Sequence, residues 1–151
     1  LTDAPLENAN VLDLYSGIGS FGIECISRGA KKIIFVEKDK KVSEILKENI
    51  KQLKIENRCK IFEGKTVSFF NQLNKNDKYE FIFLDPPFSE NFFIEDLKII
   101  QNFNFFSKNH LVIIHRENKS KDDLSSILDV ISTKKYGRSK IIFATFNSGT
   151  A

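Results

Sequence analysis

Asn10-Val11-Leu12-Asp13-Leu14-Tyr15-Ser16-Gly17-Ile18-Gly19-Ser20-Phe21-Gly22 decides the reading of this 151-residue chain. An apolar run of strand character passes into a Gly-x-Gly-x-x-Gly turn, and residues 20–28 follow with Phe21, Ile23 and Ile26 at helical spacing. Gly29 then provides a helix stop. Glycines at a strand-to-helix turn let the backbone approach a ligand and let the helix pack closely on the strand, which is how nucleotide-type cofactors are held. The next apolar run, Lys32-Ile33-Ile34-Phe35-Val36-Glu37, has the composition of a strand buried on both faces and closes on an acid. Glu37 stands where a carboxylate accepts both hydroxyls of an adenosine ribose.

The alternation continues along the chain. Residues 41–53 carry Val42, Ile45, Leu46, Ile50 and Leu53 on one helical stripe, 58–62 read as a third strand, 66–73 as a short helix, and 79–84 as a fourth strand running into Asp85. Residues 92–103 are expected to be helical, 110–115 to form a fifth strand, and 122–131 to form a helix begun at Ser120 or Asp122. Residues 134–136 and 139–146, with Gly137-Arg138 between them, read as a terminal antiparallel hairpin at a sheet edge. Seven strands with helices between the first six make an α/β fold: a seven-stranded, mostly parallel sheet with an antiparallel terminal strand. That is the Rossmann-like arrangement of class I S-adenosylmethionine-dependent methyltransferases, which differ from Rossmann dehydrogenases in the last strand.

Composition sets bounds around this reading. Hydrophobic residues at 41% and charged residues at 28% exclude a disordered or fibrous chain, and residues 1–151 are expected to form a single catalytic domain. A formal charge of +3 permits a polyanionic partner without requiring one. Positive clusters at Lys31-Lys32, Lys38 to Lys41, and Lys134-Lys135 with Arg138 and Lys140 have solvated surface as their ordinary reading. Cys25 and Cys59 are too few and too isolated for a disulfide framework or a cysteine metal site, so no metal is expected. No apolar run reaches membrane-spanning length and no secretory pattern opens the chain, which makes the cytoplasm the natural compartment and a membrane partner unexpected. Leu1 is not a native start, and an N-terminal extension is expected to be missing.

Two further features point to the chemistry. Glycines and Glu37 identify an adenosine cofactor without saying which one. Asp13, at the end of the first strand, favours S-adenosylmethionine, whose methionine half carries an ammonium and whose sulfur is cationic; its other reading is a cap of the following turn. The fourth strand ends in Asp85-Pro86-Pro87-Phe88. Methyl transfer from a sulfonium to nitrogen is an in-line displacement, so the protein must hold the nucleophile near the methyl and exclude water. An exocyclic base nitrogen has its lone pair delocalised into the ring, and acceptors for its two N–H groups, the Asp85 carboxylate and the Pro86 carbonyl, draw it toward a reactive geometry. The prolines fix φ, remove competing backbone donors and hold the preceding residue extended. Phe88 offers a face on which an extruded base can stack. The plainer reading of Asp-Pro-Pro is an ordinary strand-ending turn. Phe62-Glu63-Gly64-Lys65 follows the third strand, where such folds contact the adenine edge. His110 and His115 flank the fifth strand but the reaction requires no histidine, so both are read as structural or surface residues.

Residues 12–24, Ser27-Arg28-Gly29-Ala30, Phe35 to Asp39, Leu84 to Phe88 and the terminal Tyr136-Gly137 hairpin together resemble the RsmD family, bacterial 16S ribosomal RNA guanine-N2 methyltransferases. The resemblance implies transfer of a methyl group from S-adenosyl-L-methionine to the exocyclic N2 of a guanine in 16S ribosomal RNA, on the RNA or the small ribosomal subunit, by a monomer. It implies that Asp13, Tyr15, Gly17, Gly19, Glu37, Lys38, Gly64, Lys65 and Asp85 contact the cofactor and that Asp85, Pro86, Pro87 and Phe88 are catalytic. Tyr15-Ser16-Gly17-Ile18-Gly19 departs mildly from the family's usual Phe-Ala-Gly-Ser-Gly. Family members also carry a basic stretch with an Arg-Pro-Thr segment before the first strand, which has no counterpart here; this chain alone is expected to keep the fold with weakened cofactor affinity. Three other readings compete: an amino methyltransferase acting on adenine N6 or another base of RNA or DNA, an adenosine-nucleotide oxidoreductase, and an RNA-binding module without activity.

Overall fold

The computed structural model describes residues 6–148. The segment expected before the first strand lies outside them. Seven strands form one sheet: β1 (Asn10–Leu14), β2 (Lys32–Glu37), β3 (Cys59–Glu63), β4 (Tyr79–Leu84), β5 (Phe106–Glu117), β6 (Leu128–Tyr136) and β7 (Ser139–Phe146). Four helices connect them: α1 (Ser20–Ser27), α2 (Lys40–Gln52), α3 (Thr66–Gln72) and α4 (Phe93–Phe103). The strand order is β3-β2-β1-β4-β5-β7-β6. Strands β1 to β5 pair in parallel, and β7 lies antiparallel to both β5 and β6. The reversed last strand expected from the sequence is therefore present, inserted between β5 and β6.

Side chains alternate across each strand, so the sheet has two cores. On one face Leu12, Leu14, Ile82, Leu84, Val112 and Ile114 pack against Phe69 and Phe70 of α3 and Phe93, Leu97 and Ile100 of α4. On the other face Val11, Ile33, Phe35, Phe81 and Ile113 pack against Cys25 and Ile26 of α1 and Leu46 and Ile50 of α2. Each fully buried side chain of this size contributes about 1.5–3 kcal/mol. Local signals set the helix ends. Asp39 caps α2, its carboxylate accepting the Val42 N–H at 3.1 Å. Gly29, at φ 101°, ends α1, and the Ala30 N–H donates to the Cys25 carbonyl at 3.0 Å.

The helix expected over 122–131 does not form, so no helix joins β5 to β6. The Leu124 carbonyl accepts from both Ile127 and Leu128, giving one turn that is not continued. Asp123 turns its carboxylate onto the Ser125 N–H and hydroxyl, an Asx-type local bond that competes with helix. Asp122, read as a cap, is instead held by Arg116. Leu124, Ile127 and Leu128 have the spacing of a helical stripe because they line one side of this turn and enter the core. Val130, Ser132 and Thr133 then pair with β7 in the edge strand, the register shifting at Ile131.

From β1 the chain builds outward through β2 to β3 and then returns to the other side of β1 for β4, and at this reversal of strand order a crevice opens at the carboxyl ends of the strands.

Candidate active site at the strand ends

A cleft of about 750 Å³ occupies that crevice. Tyr15 and Gly17 enter it from the end of β1, Glu37 and Lys38 from β2, Gly64 and Lys65 from β3, and Asp85, Pro86, Pro87 and Phe88 from β4. Five carboxylates, Glu37, Asp85, Glu90, Glu95 and Asp96, face it against two ammonium groups, Lys38 and Lys65. That balance favours a cationic ligand and opposes a pyrophosphate.

The glycine loop is built for close approach. Gly17 sits at φ 57° and donates its N–H to Glu37 Oε1 at 2.8 Å, while Glu37 Oε2 accepts the Asp39 N–H at 2.9 Å. Both carboxylate oxygens are thus fixed in direction and each retains a lone pair for a ligand hydroxyl. Gly19, at φ 89°, precedes α1 and does not line the cleft; a Cβ there would lie 2.3 Å from Leu46 Cδ1. Its role is to let α1 lie against α2.

Asp13 does not line the cleft either. It is 1% exposed beneath α1, and neither carboxylate oxygen has a hydrogen-bond partner. Burial holds its pKa well above the usual carboxylate range; the Gly22 amide acts in the opposite sense without completing a bond, and the nearby charges of Asp85 and Glu37 push it further up. An orphaned carboxyl at this depth is costly, and a cationic group bound over the glycine loop would offset that cost. On this observation and on the fixed Glu37 carboxylate, the residues fit S-adenosylmethionine.

A network that the sequence did not reveal closes the far wall. Tyr15 has an unusual left-handed φ of 59°, and its hydroxyl donates to Asp96 Oδ2; the Thr66 hydroxyl donates to Asp96 Oδ1 at 2.7 Å. Asp96 is buried, which raises its pKa, and the two hydroxyls partly counter the shift. Burial, followed by the Asp96 contact, raises the Tyr15 pKa.

The proline loop is anchored by Arg116, the other residue missed in the sequence. Arg116 is 3% exposed. Its Nε donates to Asp122 Oδ2 at 2.9 Å, Nη1 and Nη2 donate to the Pro87 and Phe88 carbonyls at 3.3 Å each, and the guanidinium lies 4.6 Å from the Phe93 ring centroid. The Pro87 carbonyl also accepts from Glu90 N–H. No hydrogen bond reaches the Pro86 carbonyl among the described residues. Asp85 is exposed, with its Oδ1 2.8 Å from His115 Nδ1, and Phe88 is 40% exposed with its ring edge-on to the imidazole at 5.5 Å. His110, by contrast, is tied into the β5–β7 region, accepting the Phe146 N–H. A basic residue within two positions of a strand end and an acid six residues on were visible as types, but only folding pairs them.

Known proteins fit this description. The family described as Conserved hypothetical protein 95 matches residues 1–145. The chain belongs to this family. Among the curated family relatives, ribosomal RNA small subunit methyltransferase D of Buchnera aphidicola is 33% identical over 114 residues, covering 76% of this chain and 59% of that protein. The protein of the same name from Haemophilus influenzae is 31% identical over 113 residues, covering 74% of this chain and 58% of that one. Membership agrees with the RsmD resemblance drawn from the sequence, although the chain spans about three fifths of the length of these relatives. A solved structure of a conserved hypothetical protein from Streptococcus pyogenes superposes with a TM-score of 0.85 at 25% identity, covering 96% of this chain and 90% of that one.

Proposed function

We propose that this chain binds S-adenosylmethionine and transfers its methyl group to the exocyclic N2 of a guanine in 16S ribosomal RNA. The observation that carries the reading is the Asp85-Pro86-Pro87-Phe88 loop, with the Pro86 carbonyl left free, in one cleft with Glu37 and Gly17. The name shared by the curated relatives supports ribosomal RNA as the substrate. An oxidoreductase is disfavoured by the carboxylates around the glycine loop, which would repel the pyrophosphate of a dinucleotide.

The bound cofactor supplies an electrophilic methyl on a sulfonium centre whose departure leaves a neutral thioether. Glu37 binds the ribose hydroxyls, and Gly17, Gly64 and Lys65 shape the adenosine end. Phe88 stacks on the extruded base, while the Asp85 carboxylate and the Pro86 carbonyl accept the two amino N–H groups. Accepting both hydrogens turns the nitrogen lone pair toward the methyl carbon. With the cofactor bound, the amino nitrogen would take the methyl in place of the sulfonium sulfur, and Asp85 and solvent would receive the surplus proton. The loop does this without rearrangement because the prolines and Arg116 fix it beforehand.

The reading extends to a monomer working in the cytoplasm on ribosomal RNA or the small subunit, without metal or membrane. Among the described residues no cluster of metal-binding side chains occurs and no helix is long and apolar enough to cross a membrane. Incubation with S-adenosylmethionine and unmodified small-subunit ribosomal RNA, followed by nucleoside mass spectrometry, tests it. N2-methylguanosine is the expected product. A methylated adenosine would move the site to the other amino methyltransferase class, and no modification with cofactor bound would refute the enzyme reading.

A further inference from the structure

The fifth strand brings a titratable group to the catalytic loop that the reaction as written does not use. Leu84 of β4 is in register with Ile114 of β5, so the next residue of each, Asp85 and His115, stand side by side at the strand ends. The His115 Nδ1 lies 2.8 Å from Asp85 Oδ1. A carboxylate can only accept, so Nδ1 carries the proton and donates it. Phe88 packs edge-on against the same imidazole. One side chain therefore contacts both the acceptor and the stacking surface of the loop.

Besides this contact, the Asp85 carboxylate lies within electrostatic reach of the buried Asp13. On β7 the residue in register with His115 is Ile141, and on β6 the residue in register with Ile141 is Lys134, whose ammonium lies over the Phe143 ring. Arg116 is engaged with Asp122 and the loop carbonyls, and Glu117 pairs with Lys119. Asp85 is the one carboxylate in contact with the imidazole among the described residues. The His115 and Asp85 side chains are 28% and 45% exposed, so water reaches both.

We propose that His115 is a positioning residue for Asp85, resting on the methyl-transfer reading above: by donating from Nδ1 to Oδ1 it locks the carboxylate so that Oδ2 faces the amino group of the base. Neutral imidazole performs this task while leaving the carboxylate its full acceptor strength. The imidazolium form makes a charge-assisted bond that draws electron density from Asp85 and weakens its hold on the amine.

The test compares wild type, His115→Asn and His115→Ala in single-turnover transfer of labelled methyl to small-subunit ribosomal RNA, with S-adenosylhomocysteine affinity measured in parallel. Asparagine places an amide donor about where Nδ1 stands. The alanine variant is expected to lose about ten- to a hundred-fold in rate, the worth of a hydrogen bond to a charged group, with cofactor affinity unchanged. The asparagine variant is expected to recover most of the rate. An alanine variant at wild-type rate, or an asparagine variant no faster than alanine, overturns the proposal. A second measurement is independent of the RNA substrate: ¹⁵N spectra of the His115 ring should show a protonated Nδ1 and a bare Nε2 in wild type, with that preference lost in Asp85→Ala, which removes the acceptor. The opposite tautomer in wild type overturns the proposal whatever RNA is methylated, and the expected tautomer in a protein that methylates no ribosomal RNA places the failure in the substrate reading instead.

Discussion

Replacing Asp13 by asparagine is expected to stabilise the protein in a way that grows with pH. The carboxyl is 1% exposed, has no hydrogen-bond partner and has a pKa raised chiefly by burial. In the unfolded chain an aspartate titrates near about 3.9. Below that pH both states hold the proton and Asp13 contributes nothing to pH dependence. Above it the unfolded chain releases its proton while the folded chain keeps it, so wild-type stability falls as pH rises, by up to about 1.4 kcal/mol per pH unit, until the folded carboxyl itself titrates. The ceiling, reached when the proton is held throughout, is about 4 kcal/mol at pH 7. Asparagine resembles the protonated acid but has no proton to hold, and the cost of its unpaired amide does not depend on pH. The stability difference between variant and wild type should therefore widen from pH 4 to pH 7, by as much as roughly 10 °C in Tm for a chain of this size. Differential scanning calorimetry across pH, without ligand, measures it. A difference that is flat over this range, or that widens toward acid, would refute the buried-carboxyl reasoning.

Arg116→Ala should cost about 3–5 kcal/mol by leaving Asp122 and the Phe88 carbonyl without their donor, with Arg116→Lys intermediate because the ammonium lacks the planar fork; urea denaturation reads both. Gly19→Ala should destabilise by about 1–3 kcal/mol, since φ 89° disfavours a side chain and the new Cβ meets Leu46, and thermal unfolding checks it. Tyr15→Phe removes one of the two hydroxyls that favour ionised Asp96, so the Asp96 carboxyl should titrate at still higher pH in a ¹³C NMR titration.

The parallel sheet was legible because β1, β2 and β4 carry continuous apolar runs, a signal that survives without knowing their neighbours. The glycine loop, Glu37 and the proline loop were legible because the backbone demands of a strand-to-helix turn restrict residue types at adjacent positions. The stretch 122–131 was misread because its apolar spacing serves one turn and an edge strand, and period alone does not separate these from a helix. Arg116 and Asp96 were missed for a different reason, and the contact of His115, read from the sequence as structural or surface, was hidden by the same one. Each acts through a partner 6 to 81 positions away, Asp122, Tyr15 and Asp85 respectively, and only the register of the sheet and the placement of α4 bring them together. Asp13 was legible as an acid at a strand end, but its burial without a partner was not.

The central claim is that the Asp85 loop performs methyl transfer in the cleft where the cofactor binds. Single-turnover methylation of small-subunit ribosomal RNA by Asp85→Ala, with S-adenosylhomocysteine affinity measured by calorimetry on the same sample, tests it most directly. Loss of the amine's charged acceptor should lower the rate by at least about a hundred-fold while cofactor affinity stays within a few-fold of wild type. Undiminished turnover with cofactor bound would contradict the account.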